Sequence, residues 1–134
     1  MVHENKAGTA CIYRDDVHQY FMIELRGMVD IQDYKDAFNL LLDMALETGY
    51  ANAIYNLIGL SKSDPEARAW FIKKFIPHAN KKIKGHRKSA IVSPASSFQQ
   101  MALSFVVKGM KLMGMPVTIK YFDTQEEAIA WITT

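Results

Sequence analysis

The sequence lacks most features that define specialised classes of protein. Its 134 residues include one cysteine, Cys11, so an internal disulfide is excluded, and no Cys/His spacing resembles a zinc site. No apolar run approaches the roughly 20 residues that a membrane span requires, and the first residues lack the apolar core of a signal peptide. These absences predict a cytoplasmic protein that holds no metal and no other cofactor.

The composition is that of a globular protein. Hydrophobic residues make up 49% of the chain and charged residues 22%, which excludes disordered and collagen-like classes. The length suits one ordinary domain rather than two. We therefore expect residues 1–134 to form a single domain with a core that needs no disulfide.

Acidic residues are absent from the middle of the chain. All 14 lie in 1–66 or 123–134, whereas residues 67–122 hold 11 of the 16 basic residues, seven of them within 73–88. This asymmetry is typical of a protein that binds an anionic partner or the acidic half of another copy of itself. A solvated, lysine-rich helix face would explain it as well. No helix-turn-helix or zinc-finger pattern accompanies the basic residues, so nucleic acid is not the expected partner.

Patterns of strand and helix alternate along the chain after an opening hairpin. β-branched and aromatic runs predict strands at 9–14, 17–25, 52–58, 89–93 and 117–122. Apolar residues at helical spacing predict helices at 31–47, 65–83 and 96–113, and a terminal helix after 123. The order ββαβαβαβα predicts an α/β fold with right-handed crossovers, in which helices pack on a mostly parallel sheet.

Residues that begin or end helices support these boundaries. An Asp before the first helix and an Asp–Pro pair before the second suit helix starts, and a glycine suits the end of the first. A later proline should end or kink the second helix, and an Asp with a Glu three residues on predicts a cap for the last. In chain order these residues are Asp30, Gly49, Asp64 with Pro65, Pro77, and Asp123 with Glu126.

Three stretches of the chain, together with the order of its elements, carry a resemblance to a known family. The stretches are residues 27–46, residues 88–93 and residues 121–132. They resemble STAS-like domains, and most closely the SpoIIAA-like group of small standalone bacterial proteins. The last stretch is the most specific, because a strand ending in Phe-Asp followed by a short Glu-Glu-Ala-x-x-Trp helix is typical of that group. The resemblance spans nearly the whole chain and implies the SpoIIAA/STAS-like α/β fold. It also implies a regulatory or interaction module rather than an enzyme.

The resemblance also bears on regulation and ligands. In the anti-sigma-factor antagonists of this family, a serine or threonine that opens the helix after the third strand is phosphorylated. The matching region here, 56–64, reads Asn-Leu-Ile-Gly-Leu-Ser-Lys-Ser-Asp and lacks the Asp-Ser-Ser-Gly type of sequence found in those proteins. Relatives in the group also resemble CRAL-TRIO-type lipid carriers in topology, which implies a hydrophobic ligand.

Two loops that follow neighbouring predicted strands are rich in serine. Ligands of open α/β sheets bind beyond the carboxyl ends of the strands, where hydroxyls and first-turn amides can hold a phosphate or a carboxylate. The same serines would also serve as ordinary helix caps. The candidates for anion or ligand binding are Ser61, Lys62, Ser63, Ser93, Ser96 and Ser97.

The two middle helices carry more apolar surface than one core-facing stripe requires. The excess is typical of self-association, a partner protein, a membrane surface or an acyl-chain cavity, although burial between the sheet and another helix would explain it equally. The first prediction is an interaction module that forms a homodimer; the alternative is a binding protein for a lipid-like or anionic small ligand. The apolar candidates are Trp70, Phe98, Met101, Leu103, Phe105, Val107 and Met110.

Nucleophilic catalysis has little support in the sequence. Cys11 falls in a predicted strand, where a small thiol side chain is usually part of the core. No Gly-x-Ser-x-Gly motif occurs, and no histidine is paired by sequence with a nucleophile and an acid. The sequence therefore predicts a non-enzymatic protein without catalytic residues.

Overall fold

A computed structural model of the chain describes residues 1–61, 64–93, 108, 114 and 116–134. Its strands are β1 (His3–Glu4), β2 (Ala10–Asp15), β3 (Tyr20–Leu25), β4 (Asn52–Asn56), β5 (Arg87–Val92) and β6 (Val117–Phe122). Its helices are α1 (Ile31–Thr48), α2 (Pro65–Trp70), a π-helix (Phe71–Phe75), α3 (Ile76–Lys82) and α4 (Gln125–Ile132). The predicted helix 96–113 lies outside the described residues, apart from Lys108.

The six strands form one sheet in sequence order, antiparallel at one edge and parallel across the rest. β1 and β3 both pair antiparallel with β2, and β3, β4, β5 and β6 pair in parallel. This arrangement confirms the predicted α/β class and mostly parallel sheet. The short strand β1 was not predicted, because only the register of its partner reveals it: Val2 N–H donates to the Ile12 carbonyl at 2.8 Å.

Two apolar cores lie on opposite faces of the sheet, because successive side chains of a strand point to opposite sides. On one face, Phe21 and Ile23 of β3 pack with Phe38 of α1 and Phe75 of the π-helix. On the other face, α4 contributes Ala128 and Ile132. They pack against residues of the central strands, among them Met22, Ile54, Ala90 and Val92. Fully burying a side chain of the larger kinds contributes about 1.5–3 kcal/mol.

The predicted starts of the first two helices are confirmed. The Asp30 carboxylate accepts a hydrogen bond from Gln32 N at 3.1 Å, and the Asp64 carboxylate accepts one from Glu66 N at 2.8 Å. Gly49 ends α1 with a left-handed backbone (φ 79°), a conformation that a residue with a Cβ rarely adopts.

The predicted disturbance at Pro77 takes the form of a π-helical turn. The N–H of Ile76 donates to the Phe71 carbonyl, five residues back instead of four. Proline has no N–H, and its ring would clash with the carbonyl four residues earlier, that of Lys73. A widened turn at this point lets the helix continue past the proline, so the predicted helix 65–83 consists of three consecutive segments.

The predicted cap of the last helix was wrong by one residue. Thr124, not Asp123, has the extended backbone of a capping residue (φ −130°, ψ 153°), and its hydroxyl accepts a hydrogen bond from Glu127 N at 3.3 Å. Both Asp123 with Glu126 and Thr124 with Glu127 match the capping spacing. The sequence pattern alone therefore does not distinguish them.

Within the described part of the chain, no helix combines the length and the apolar character that crossing a membrane would require.

Candidate functional site

The carboxyl ends of the parallel strands, where the sequence predicts a ligand site, carry polar side chains that are paired with one another. The buried Asn56 side chain donates from Nδ2 to Gln125 Oε1 at 2.9 Å, and its Oδ1 accepts from Ile58 N at 3.2 Å. Nearby, Arg26 donates from Nε to Glu24 Oε1 at 2.9 Å. Asn56, Gln125, Arg26 and Glu24 are thus occupied by their neighbours.

The described serines of the predicted anion site differ in exposure. Ser61 is exposed, and its backbone N–H donates to the Gly27 carbonyl at 3.0 Å, so this amide is already occupied. Ser93 is 2% exposed, and its N–H donates to the Phe122 carbonyl at 3.3 Å. The other four candidates, Lys62, Ser63, Ser96 and Ser97, lie outside the described residues. An anion site at this edge therefore stays a prediction.

Two loops at the same edge are joined by backbone hydrogen bonds and present apolar side chains to solvent. Gly27 N–H donates to the Gly59 carbonyl at 2.7 Å, and Gly27 forms an isolated parallel bridge with Leu60. Gly27 has a φ of 64°, which explains a glycine at this turn. Met28, which follows it, is 73% exposed, and Ile58 on the other loop is 46% exposed.

Trp70 belongs to an aromatic cluster between α1 and the α2–π segment. Its ring packs edge-on to Tyr34 with centroids 6.1 Å apart and lies 5.5 Å from Phe75, while Lys35 Nζ stands 6.0 Å above it. The half-buried indole thus joins the helices to each other. The remaining apolar candidates lie outside the described residues: Phe98, Met101, Leu103, Phe105, Val107 and Met110.

A cavity of about 50 Å³ lies at the opposite, amino edge of the parallel strands, between the sheet and the helices. α1, the π-helix and α3 contribute most of its apolar wall, which includes Leu42, Phe75 and Ile83. The sheet contributes polar groups from neighbouring strands, above all Tyr55 of β4 and Arg87 of β5.

Arg87 is a buried cation without a complete set of partners. The residue is 7% exposed, and its Nη1 atom is buried with no hydrogen-bond partner in the described part of the chain. Burial lowers the pKa of Arg87, yet a guanidinium keeps its proton in proteins. Among the described residues that line the cavity there is no aspartate or glutamate. The positive charge of Arg87 therefore has no carboxylate beside it there.

Tyr55 does not supply the missing negative charge. Burial raises the pKa of Tyr55, and this effect outweighs the opposing influences of Arg87 and of a hydrogen bond with Ser89. The phenol is therefore neutral at physiological pH. The guanidinium and the phenol O–H are therefore hydrogen-bond donors inside an apolar wall, and the Ser89 hydroxyl donates to the Tyr55 oxygen.

Sequence reasoning missed Arg87 because it counted the residue among the basic residues of 73–88. The structure separates it from them. The lysines at 73, 74, 81, 82 and 84 are exposed, whereas Arg87 lines the cavity on the face of the sheet that α1, the π-helix and α3 cover. The sequence contained a sign of this difference, because every second residue of a strand lies on the same face. Arg87, Ser89 and Ile91 therefore share one face of β5. Starting the predicted strand at 89 rather than 87 concealed it.

Cys11 is fully buried in β2, which confirms its predicted place in the core. Burial raises the pKa of the Cys11 thiol, and the neighbouring Glu4 carboxylate adds to the rise. A reactive thiolate is disfavoured there. Within the described ranges, no three histidine, cysteine or acidic side chains are grouped as a metal site would need.

Comparisons with known proteins agree with this architecture. The sequence model of the SpoIIAA-like family matches residues 20–133. A protein of the DUF3478 family with a SpoIIAA-like fold, from Shewanella loihica PV-4, shares 21% identity at a TM-score of 0.62, covering 92% of this chain and 91% of its own. The anti-sigma factor antagonist SpoIIAA in its unphosphorylated form shares 16% identity at a TM-score of 0.61, covering 92% and 96%. No curated protein matches the sequence significantly.

Proposed function

Because the chain belongs to the SpoIIAA-like family, as its sequence predicted, we propose that it is a non-enzymatic regulatory module that binds another protein. One structure with the same fold is described as an anti-sigma factor antagonist, a role that is directed at another protein. The observation that carries the proposal is the exposure of Met28 and Ile58 on two hydrogen-bonded loops at the carboxyl edge of the sheet.

These loops have the properties of a contact surface. Covering an exposed Met or Ile side chain removes apolar area from water, which favours binding. The backbone hydrogen bond from Gly27 to Gly59 already orders both loops. Little conformational entropy is therefore lost when a partner docks. Glu24 and Arg26, which lie near them at this edge, supply the polar rim that protein interfaces usually have.

Photo-crosslinking in cells that make the protein tests this proposal. We expect p-benzoylphenylalanine in place of Met28 or Ile58 to give, from both positions, an adduct with the same partner protein. The matched control is Val17, an apolar residue of the β2–β3 turn that is 84% exposed and should give no such adduct.

Mass spectrometry of the adduct identifies the occupant. A mass equal to two chains would make that occupant a second copy, as in the homodimer that the sequence predicted. The proposal is wrong if neither position gives a discrete adduct, or if position 17 gives the same one.

The alternative from the sequence, a binding protein for a lipid-like or anionic small ligand, divides into two parts. An acyl chain was predicted to lie among Phe98, Met101, Phe105 and Trp70, and the first three lie outside the described residues. The cavity of about 50 Å³ is too small for such a chain. Lipid binding and contact with a membrane surface therefore stay predictions. Arg87 Nη1, which has no hydrogen-bond partner among the described residues, supports only the anionic part.

A further inference from the structure

We propose that the cavity at the amino edge of the sheet binds a small organic monocarboxylate, with Arg87 as its cationic contact. The site lies at the opposite end of the parallel strands from Met28 and Ile58. It goes beyond the proposed protein contact and does not depend on it.

The buried positive charge of Arg87 favours an anionic ligand. A buried ion is unfavourable unless it is paired and hydrogen-bonded. Arg87 is 7% exposed, its Nη1 has no partner among the described residues, and no carboxylate stands among the described residues of the cavity wall. A bound anion would supply both the counter-charge and the missing hydrogen-bond acceptor.

The hydrogen-bond donors of the cavity suit a carboxylate. A guanidinium offers two parallel N–H groups that match the two oxygens of a carboxylate. The Tyr55 hydroxyl lies in the same wall and can donate a further hydrogen bond, while Ser89 donates to the Tyr55 oxygen. Leu42, Phe75 and Ile83 would surround the part of the ligand beyond its carboxylate. That part should therefore be a short hydrocarbon tail. A phosphate or sulfate would instead leave several oxygens against apolar side chains.

The size of the cavity limits the ligand to a small molecule. The cavity measures about 50 Å³. A single water needs roughly 10–15 Å³, so the space suits about three to five non-hydrogen atoms. Propionate, which has a carboxylate and a two-carbon tail, is an appropriate probe.

Titration calorimetry of the dialysed protein with sodium propionate at constant ionic strength tests the proposal. We expect propionate to bind, and its affinity to fall at least about tenfold in Arg87→Met, the factor that corresponds to losing one charge-assisted hydrogen bond. Lys82→Met is the matched control: it removes one positive charge from an exposed position of α3 and should leave the affinity within about twofold.

Two further ligands test the class of the anion. Propionamide has nearly the same shape without the charge, and we expect it to bind far more weakly than propionate. Chloride has the charge without the tail or the two oxygens, and it should also bind more weakly. Equal binding of propionamide, or of chloride, would overturn the assignment to a carboxylate.

The remaining outcomes also decide the matter. Absence of propionate binding to the unmodified protein, or unchanged binding by a folded Arg87→Met protein, would overturn the site. If Arg87→Met does not fold, nuclear Overhauser contacts in the unmodified protein replace it. Contacts from the propionate methyl to the Phe75 ring support the site, and their absence in the bound state refutes it. Crosslinking at Met28 is unaffected by either result, so this proposal and the protein contact fail separately.

Discussion

Buried polar side chains at the two edges of the parallel strands differ in their hydrogen bonding. At the carboxyl edge, Asn56 is 4% exposed and both ends of its amide are hydrogen-bonded, to Gln125 and to the backbone of Ile58. At the amino edge, Arg87 is 7% exposed and its Nη1 lacks a partner in the described part of the chain. A satisfied buried group stabilises the fold. An unsatisfied one needs another explanation, and a bound anion would supply both an acceptor and a counter-charge.

The two arginines make the same contrast. Arg26 at the carboxyl edge is exposed and forms an ion pair with Glu24, an arrangement worth about 0–1 kcal/mol in water. Arg87 has lost most of its hydration, so its interactions are worth more, and leaving them unmade is less favourable. Burial, rather than the type of residue, makes the amino edge the place to look for a ligand.

The largest effect that tests this contrast is expected at Asn56. Replacing it in Asn56→Leu leaves the Gln125 carbonyl oxygen and the Ile58 N–H without their partner, and we expect the free energy of unfolding to fall by about 2 kcal/mol. Urea denaturation followed by circular dichroism measures the change. Asn39→Leu, on the exposed face of α1, should stay within about 0.5 kcal/mol. A loss at Asn56 no greater than that of the control would mean that its hydrogen bonds do not stabilise the fold.

A smaller effect of opposite sign is expected at Arg87. In ligand-free protein, Arg87→Met removes a buried charge that has no carboxylate beside it among the described residues of the cavity, and it keeps most of the side-chain volume. We therefore expect the free energy of unfolding to rise by about 1 kcal/mol. The same denaturation experiment on Arg26→Met, which removes an exposed ion pair, should show a loss of about 0–1 kcal/mol. A marked loss of stability in Arg87→Met would show that the guanidinium is already held within the protein.

Much of the fold could be predicted because the deciding signals are local. Asp30, Gly49 and Asp64 act on the turn of helix beside them, so their roles can be read without knowing the rest of the chain. The strands at 52–58 and 89–93 were recognisable as short apolar runs and are paired as β4 and β5. The capping residue of α4 was missed because two overlapping pairs fit the same local pattern.

The candidate site could not be predicted in the same way, because it depends on contacts between distant parts of the chain. Arg87 resembles the lysines before it until β5 is placed beside β4, which brings it to Tyr55. Among the described residues, Nη1 of Arg87 has no partner because α1 and the π-helix place apolar residues around the cavity. No spacing within the sequence records these contacts.

The smallest expected effect is a change in the pKa of two tyrosines, in opposite directions, when a neighbouring charge is removed from each. Burial raises the pKa of both Tyr13 and Tyr55, but Glu24 adds to the rise at Tyr13, whereas Arg87 opposes it at Tyr55. We therefore expect Glu24→Gln to lower the pKa of Tyr13 and Arg87→Met to raise the pKa of Tyr55. Ultraviolet absorbance of the phenolate measures each, with the matching Tyr→Phe variant subtracted.

The same titration fixes the sign of the alkaline stability change. Tyr55 of the unfolded chain ionises near pH 10, whereas the folded protein keeps it protonated to a higher pH. The unfolded state therefore binds fewer protons above about pH 10, and stability falls as the pH rises further. Arg87→Met should raise the pKa of Tyr55 in the folded state further. The variant should therefore lose stability over a wider alkaline pH range than the unmodified protein. If the stability of the two proteins changed with alkaline pH in the same way, the charge of Arg87 would not influence the ionisation of Tyr55. The hydroxyls of Tyr55 and Ser89 would then not form one site with the guanidinium.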